Sequence, residues 1–495
     1  MGVTNWLVLL LTHPLEFRTL LQFYIYHEQK RDIKSQQEHP TSGWDRESMR
    51  RCWHFLDLTS RSFAAVIKEL EGDLARTIAL FYLVLRGLDT IEDDMTIPDH
   101  IKQPILRSFH VHTVTPGWSF NDCGPNEKDR QLLVEYATVV DEVNLLLPEY
   151  KAVIVDICHK MEIGMADYAH KAFATGSIYV DTIAEYDLYC HYVAGLVGEG
   201  LSRLFSASGK EAPYIAHQLE LSNSMGIFLQ KTNIIRDYRE DTDEQRFFWP
   251  KEIWGKDIYG FKEMKDMYAN DADTVQRATF VQSEMVLNAM SHATDALDYL
   301  RLLRNQSVFN FCAIPATMAI ATLELCFMNK AMFQRNIKIR KADAANLIMR
   351  STNPREVGLI FKDYARKIHA KADPSDPNFL RISVACGKIE TWCEVNYPTF
   401  VRFAPSGGSE VQFDPLDVRT KVVQQDQAFD AELTKRKYAA EIKKRGGLTN
   451  GNGKPYSNPS EVSMNEMLLY VGAGFVCLLA LAMAGVYGVV KYTQD

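Results

Sequence analysis

The chain has 495 residues, of which 46% are hydrophobic and 24% are charged, and its formal net charge is −8. This composition is typical of a globular protein with a large core, and the acidic balance argues against a nucleic-acid partner. The nine cysteines are scattered without the spacing of a zinc site, so we expect reduced thiols in a domain that faces the cytosol.

Helical patterns dominate the chain from its N-terminus onward. Trp6 to Leu11 is too short to span a membrane and lacks the features of a signal peptide, so none is predicted. Residues 73–88 are apolar nearly all round, which predicts a buried central helix. Further helical patterns cover residues 131–147, 153–173, 183–205, 225–235, 278–303 and 314–332. Strand signals are scarce, so we predict one all-α catalytic domain over residues 1–420, with its core at about 40–370.

The C-terminal part of the chain differs in composition. Residues 421–465 form a charged segment and a tether rich in Gly, Asn, Pro and Ser, which we expect to be flexible. Residues 467–490 carry no charge and are long enough to cross a bilayer, although a buried core helix is an alternative. We predict a transmembrane tail anchor that leaves the catalytic domain in the cytosol.

Two acid clusters follow apolar helical runs: Asp89, Glu92 and Asp93 in LDTIEDDM, and Asp237, Glu240 and Asp241 in NIIRDYRED. Carboxylates at positions i, i+3 and i+4 lie on one face of a helix. A single cluster of this kind is more simply a solvated surface, but two at the edge of a core are costly without a cation. Oxygen ligands without histidine or cysteine favour Mg²⁺, which substrate phosphates typically complete. The clusters therefore predict a Mg²⁺ site for a diphosphate substrate.

Polar residues beside the clusters support the same interpretation. Arg86 lies one turn before the first cluster and Arg236 directly precedes the second. Guanidinium groups bind phosphate oxygens in pairs, although either arginine alone could be an ordinary salt-bridge partner. Asn233 lies one turn before Asp237 and could orient a substrate oxygen or a metal-bound water.

Six stretches of the chain resemble the squalene/phytoene synthase family, and within it the squalene-forming farnesyltransferases. They are SRSFAAVIKEL (60–70), FYLVLRGLDTIEDDM (81–95), YCHYVAGLVGEGLSRLF (189–205), LQKTNIIRDYRED (229–241), FWPKEIW (248–254) and LRNQSVFNFCAIPATMAIATL (303–323). The resemblance implies a class I isoprenoid-synthase helical bundle and a role in sterol biosynthesis. Two farnesyl diphosphates would couple head to head to presqualene diphosphate, which NADPH would then reduce to squalene.

The resemblance also implies roles for individual residues. The metal ligands would be Asp89, Glu92, Asp93, Asp237 and Asp241, with Asp93 and Asp237 also essential to catalysis. The substrate diphosphates would be held by Ser60, Arg61, Ser62, Arg86 and Asn233. Tyr189 would transfer protons, and Phe309 and Phe311 would wall the carbocation, although pattern alone makes these three aromatics packed core residues.

The NADPH site has no recognisable motif, because no G-x-G-x-x-G follows a strand. The resemblance points instead to dispersed basic residues: Arg61, Arg86, Arg236, Lys338 and Arg340. By pattern alone, the IKIRK segment that holds the last two is a solvated basic turn or strand.

Location and assembly are expectations of the same kind. We expect a monomeric catalytic domain anchored in the endoplasmic reticulum membrane, and we assign no chemistry to residues 117–128 and 406–459. Two alternatives stay open. One is a phytoene-type or dehydrosqualene-type synthase without the reductive step, and the other is a non-catalytic, membrane-tethered helical scaffold.

Overall fold

A computed structural model describes residues 3–27 and 32–399 and, discontinuously, residues 425–439; the side chains of residues 3–5, 7, 26, 27, 61 and 62 are not included. The chain divides into two compact units, Met1–Gln412 and Phe413–Asp495. In the second unit, the described residues within 425–439 are helical. The predicted membrane span, residues 467–490, and most of the predicted tether lie outside the described residues.

The described residues of the first unit are mostly helical with almost no strand, which confirms the predicted all-α fold. Its α-helices are α1 (Val3–Thr12), α2 (Pro14–His27), α3 (Glu47–Thr59), α4 (Arg61–Lys68), α5 (Leu74–Asp93), α6 (Asp99–Leu106), α7 (Phe109–His112), α8 (Arg130–Val134), α9 (Ala137–Asn144), α10 (Pro148–Thr175), α11 (Ile183–Cys190), α12 (Leu196–Ala207), α13 (Leu219–Arg236), α14 (Tyr238–Asp243), α15 (Lys251–Trp254), α16 (Ala272–Met290), α17 (Ala293–Leu302), α18 (Gln306–Cys326), α19 (Lys341–Arg350), α20 (Pro354–Lys371) and α21 (Phe379–Asn396). A π-helix covers His191–Gly195, and 3₁₀-helices cover Pro213–His217, Met264–Tyr268 and Lys330–Phe333. Two short parallel strands, β1 (Ile178–Tyr179) and β2 (Arg246–Phe247), pair with Ile178 opposite Arg246.

Helix α5 is the buried central helix that the sequence predicted. Fifteen of its 20 residues are buried, because apolar side chains occupy nearly every face of the helix. The helix ends where Asp94 leaves the helical conformation and accepts hydrogen bonds from the backbone N–H groups of Thr96 (2.9 Å) and Gly124 (2.7 Å). The last turn of α5 therefore carries the first acid cluster to the edge of the core.

Helix α13 packs against α12, α17 and α18 and approaches its neighbours closely at two glycines. A Cβ atom at Gly198 would lie 2.3 Å from the Ser222 carbonyl oxygen, and one at Gly226 would lie 2.3 Å from the Ala194 carbonyl oxygen. Any larger residue at either position would push these backbones apart. The two glycines therefore set how closely the helices that surround the site can pack.

Several predicted helices are shorter or broken in the structure. Residues 131–147 form α8 and α9, and residues 278–303 cover most of α16 and all of α17, because an apolar pattern continues across a short break in the backbone. The last predicted helix begins earlier, at Gln306, where the Asn305 side chain caps the N–H groups of Ser307 and Val308. That helix, α18, is long and apolar enough to cross a membrane, but 67% of its most apolar window is buried, which is typical of a core helix. The eight cysteines of the described residues are all buried and free.

Candidate active site

Arg246 lies between the two acid clusters and contacts both of them. Its guanidinium is 3.4 Å from Asp93 Oδ1 and 2.9 Å from Asp241 Oδ1, and it also pairs with Glu244 at 2.9 Å. The preceding residue, Gln245, has a φ of 63°, a left-handed conformation that is rare outside glycine and is retained where the surrounding structure requires it. One arginine therefore spans the gap, and the two clusters face each other as a single site.

The second cluster begins at a break between two helices. Helix α13 ends at Arg236, and the Asp241 N–H still donates to the Asp237 carbonyl oxygen at 2.9 Å, so the two aspartates remain one helical turn apart. Arg236 binds both carboxylate oxygens of Asp237, at 2.8 and 2.5 Å. The Asn336 amide donates to Asp237 at 3.3 Å and to Glu240 at 2.9 Å. The Arg236 guanidinium and the Asn336 amide thus hold the second cluster in position.

The first cluster is tied to the turn that holds Ser60. Arg86 pairs with Asp89 at 2.7 Å and donates to the Tyr82 hydroxyl at 3.1 Å. That hydroxyl in turn donates to the Thr59 carbonyl oxygen at 3.2 Å, beside Ser60, whose exposed fraction is 6%. The side chains of Arg61 and Ser62 are outside the described part of the chain, so their roles stay predictions.

Three carboxyl groups of the clusters have raised pKa values in the protein alone. Burial, followed by repulsion from Asp93, raises the pKa of Asp89 to about 7. Burial, then Asp93 and Asp89, raise the pKa of Glu92 well above its ordinary value. Burial also raises the pKa of Asp241 to about 7, although Arg246 opposes the shift. The C-terminal ends of α5 and α13 add partial negative charge. These carboxylates therefore fit a bound cation, and oxygen ligands alone favour Mg²⁺.

A cavity of about 290 Å³ reaches Asp89 of the first cluster, whereas one of about 490 Å³ with a mixed polar and apolar lining lies elsewhere. Polar residues at the mouth of the smaller cavity include Arg86, Asp89 and Asn233. Most of the remaining wall is apolar and comes from six α-helices and the π-helix, including Phe63, Phe81, Leu85, Met161, Val193, Val197, Leu201, Met225, Leu229, Phe311 and Pro315. A charged mouth over an apolar interior fits a substrate with a diphosphate head and a hydrocarbon tail.

Tyr189 is buried next to the first cluster. Its ring stacks on Phe248 with centroids 4.9 Å apart and meets Tyr168 edge-on at 5.1 Å. Burial and the nearby carboxylates of Glu92, Asp93 and Asp89 raise the pKa of Tyr189 well above its ordinary value. The π-helix begins two residues later, and such turns are frequent at functional sites. Tyr189 therefore keeps its phenolic proton beside the predicted metal ligands.

The two predicted phenylalanines occupy different places. Phe311 lines the cavity and contacts Phe205 edge-on, with ring centroids 6.1 Å apart. Phe309 is 3% exposed and packs in the core outside the cavity lining. Only Phe311 is placed to face a substrate in this structure.

The basic segment predicted to bind NADPH lies next to the second cluster without contacting it. Lys338 is exposed and follows Asn336 by two residues, and Asn336 contacts Asp237 and Glu240. Arg340 is 65% exposed and pairs with Glu16 of α2 at 2.6 Å. The structure therefore joins Arg340 to the N-terminal helices, and the NADPH role of both residues is still a prediction.

Sequence reasoning missed several residues of the site: Tyr82, Asp129, Arg246 and Asn336. It also assigned no role to residues 117–128. In the structure, Gly124 in this segment binds Asp94, and Asp129 lies 3.8 Å from Arg86. The segment therefore packs at the end of the first cluster.

Comparisons with known proteins place the whole chain in a family. The family model described as squalene/phytoene synthase matches residues 56–343. A squalene synthase from Ganoderma lucidum is 63% identical over 455 residues, which cover 90% of this chain and 97% of that protein. A squalene synthase from Schizosaccharomyces pombe is 49% identical over 386 residues, which cover 77% of this chain and 81% of that protein. A solved complex of TcSQS with the ligand E5700 superimposes with a TM-score of 0.66 at 38% identity, covering 70% of this chain and 99% of that one. The chain belongs to the squalene/phytoene synthase family.

Proposed function

We propose that this protein is a squalene synthase, which couples two farnesyl diphosphates to presqualene diphosphate with Mg²⁺ and then reduces that intermediate to squalene with NADPH. The observation that carries the proposal is an apolar cavity that reaches Asp89 of the first cluster, which Arg246 joins to the second cluster. The squalene synthases that match most of the chain support the same activity over a phytoene-type enzyme or a scaffold.

The metal would be held by the five carboxylates already assigned to it: Asp89, Glu92, Asp93, Asp237 and Asp241. When bound, Mg²⁺ neutralises the charge that develops on a departing diphosphate. Arg86 and Arg246 are already placed at this site by their hydrogen bonds, so their guanidinium groups can bind phosphate oxygens without a large rearrangement. These residues orient the head group over the cavity mouth.

Tyr189 would serve the first half-reaction as a neutral phenol. Its raised pKa keeps the hydroxyl protonated at neutral pH, so it can donate a hydrogen bond to the leaving oxygen. The cavity wall, which includes Phe311, would exclude water from the carbocation and present aromatic faces to it.

The hydride donor and the membrane would use parts of the chain outside the acid clusters. NADPH would bind through Lys338 and Arg340, together with Arg61, Arg86 and Arg236. An exposed basic segment two residues from a contact of the second cluster supports that placement. Residues 467–490 would anchor the protein in the endoplasmic reticulum membrane, where squalene can pass directly into lipid.

The test is product analysis with the purified full-length protein in detergent. Farnesyl diphosphate and Mg²⁺ are supplied with and without NADPH, and both diphosphate and lipid products are quantified. We expect squalene only with NADPH, and no diphosphate release when Mg²⁺ is chelated. The same unreduced hydrocarbon in both conditions would indicate a dehydrosqualene-type enzyme, and no diphosphate release at all would indicate a scaffold.

A further inference from the structure

Three side chains converge at a second place in the fold: His110 of α7, and His159 and Glu162 of α10. Glu162 Oε1 lies 2.6 Å from His110 Nδ1 and 2.8 Å from His159 Nδ1. One ligand atom from each of the three residues lies within 4.8 Å of the other two. The Glu162 side chain is fully buried, whereas the side chains of His110 and His159 are 26% and 51% exposed.

The carboxylate is held in position before any ion arrives. The backbone N–H of His110 donates to Glu162 Oε2 at 2.8 Å, which leaves Oε1 directed at the two imidazoles. Carboxylates that bind metals are commonly oriented by a hydrogen bond of this kind. Neighbouring His112 is already engaged, because its ring stacks on Trp118 and its Nε2 lies 3.1 Å from Ser108 Oγ. The candidate ligand set therefore consists of two imidazoles and one carboxylate.

We propose that His110, His159 and Glu162 bind Zn²⁺ at a site separate from the Mg²⁺ site. Two imidazole nitrogens and one carboxylate oxygen form a donor set that zinc accepts, with water in the fourth position on the exposed side. Imidazole favours zinc and its transition-metal neighbours over Mg²⁺. On binding, Zn²⁺ would replace the proton that each Nδ1 shares with Glu162 Oε1, and each neutral imidazole would carry its proton on Nε2.

The geometry needs only a small adjustment to hold the ion. Bonds of about 2.0 Å in a tetrahedral site place neighbouring ligand atoms roughly 3.3 Å apart, so relative to Glu162 Oε1 the His159 nitrogen would move outward by about 0.5 Å and the His110 nitrogen by about 0.7 Å. The His159 ring is half exposed and has room to do so. Met161, adjacent to Glu162, lines the apolar cavity, so the ion would join α7 to the outer face of the helix that forms part of the cavity wall.

The test uses the full-length protein in detergent with excess Mg²⁺ to saturate the acid clusters. Co²⁺ serves as the probe, because its visible absorption distinguishes a nitrogen-ligated tetrahedral site from an all-oxygen one, and Zn²⁺ is the competitor. His159→Gln removes the most exposed ligand. His170→Gln is the matched control, because His170 is an exposed histidine of the same helix whose Nδ1 lies 3.0 Å from Asp99.

We expect wild type and His170→Gln to bind one equivalent of Co²⁺ with nitrogen-type absorption, which Zn²⁺ displaces. In His159→Gln the affinity should fall at least about ten-fold, while squalene formation in Mg²⁺ is unchanged. Equal affinity in all three proteins, or no such absorption in wild type, would overturn the proposal and leave a proton-sharing cluster. Glu162→Gln is a second variant and should also lose the signal.

Discussion

The substitution Asp241→Asn distinguishes two roles of Asp241, that of a metal ligand and that of a structural partner of Arg246. The Asp241 side chain is 11% exposed and its carboxylate pairs with Arg246, so a structural role would make the substitution destabilising. The amide has nearly the same shape and can still accept a hydrogen bond from Arg246, but it lacks the charge that a cation requires. We expect kcat/KM for diphosphate release to fall about 10²–10³-fold, or about 2.7–4 kcal/mol, as for loss of one electrostatic contact to a transition state.

Without metal, the same substitution should not lower the thermal stability of the protein. The pKa of Asp241 is about 7 in the folded protein against an ordinary 3.8, so between about pH 4 and 7 the folded state keeps a proton that the unfolded state has lost. The contribution of Asp241 to stability therefore falls as the pH rises through that window. At pH 8 without Mg²⁺, Asp241→Asn should melt at or above the wild-type temperature.

Two measurements check this prediction: diphosphate release during a Mg²⁺ titration, and thermal unfolding at pH 8 with and without Mg²⁺. Mg²⁺ should stabilise wild type and have little effect on the variant. Asp243→Asn is the matched control, because Asp243 belongs to the same short helix and pairs with Arg239 at 2.8 Å. Wild-type activity and Mg²⁺ response in Asp241→Asn would refute the metal assignment.

Three further changes test other parts of the site. Tyr189→Phe keeps the aromatic stack but removes the hydroxyl, so presqualene diphosphate formation should fall at least about 10²-fold with unchanged melting temperature; wild-type rates would exclude the proton role. Lys338→Ala with Arg340→Ala should spare the first diphosphate release and make presqualene diphosphate accumulate, as measured by product analysis. Glu16→Gln breaks the Arg340 pair alone, and an equal defect there would indicate that Arg340 is structural. Truncation before residue 467 should leave a soluble and active enzyme, and loss of activity in a folded, truncated protein would contradict a purely anchoring role.

The acid clusters could be predicted from sequence because their geometry is local. Helical spacing places Asp89 and Asp93 on one face, and the apolar run before them identifies a helix that ends at the edge of the core. The break between α13 and α14 at Asp237 leaves the second cluster on one helical face, since the Asp241 N–H still bonds to the Asp237 carbonyl oxygen. Local periodicity was therefore sufficient to place the carboxylates of each cluster on one face.

The residues that join the clusters could not be predicted in this way. Arg246 contacts Asp93 across 153 positions of sequence and lies in a two-residue strand, which carries no periodic signal. Asn336 is 99 positions from Asp237 and belongs to a segment without regular structure. An arginine that follows Asp241 by only five residues was the one available hint. The resemblance supplied Phe309 and Phe311 together, but only the three-dimensional packing separates the cavity wall from the core.

Binding of a non-hydrolysable thiolodiphosphate analogue of farnesyl diphosphate tests most directly whether the two clusters form one Mg²⁺ site. Calorimetry would compare wild type, Asp93→Asn and Asp241→Asn, each with and without Mg²⁺. We predict Mg²⁺-dependent binding in wild type and an affinity lower by more than about ten-fold in either variant. Equal binding without Mg²⁺, or wild-type affinity in either variant, would contradict a shared site.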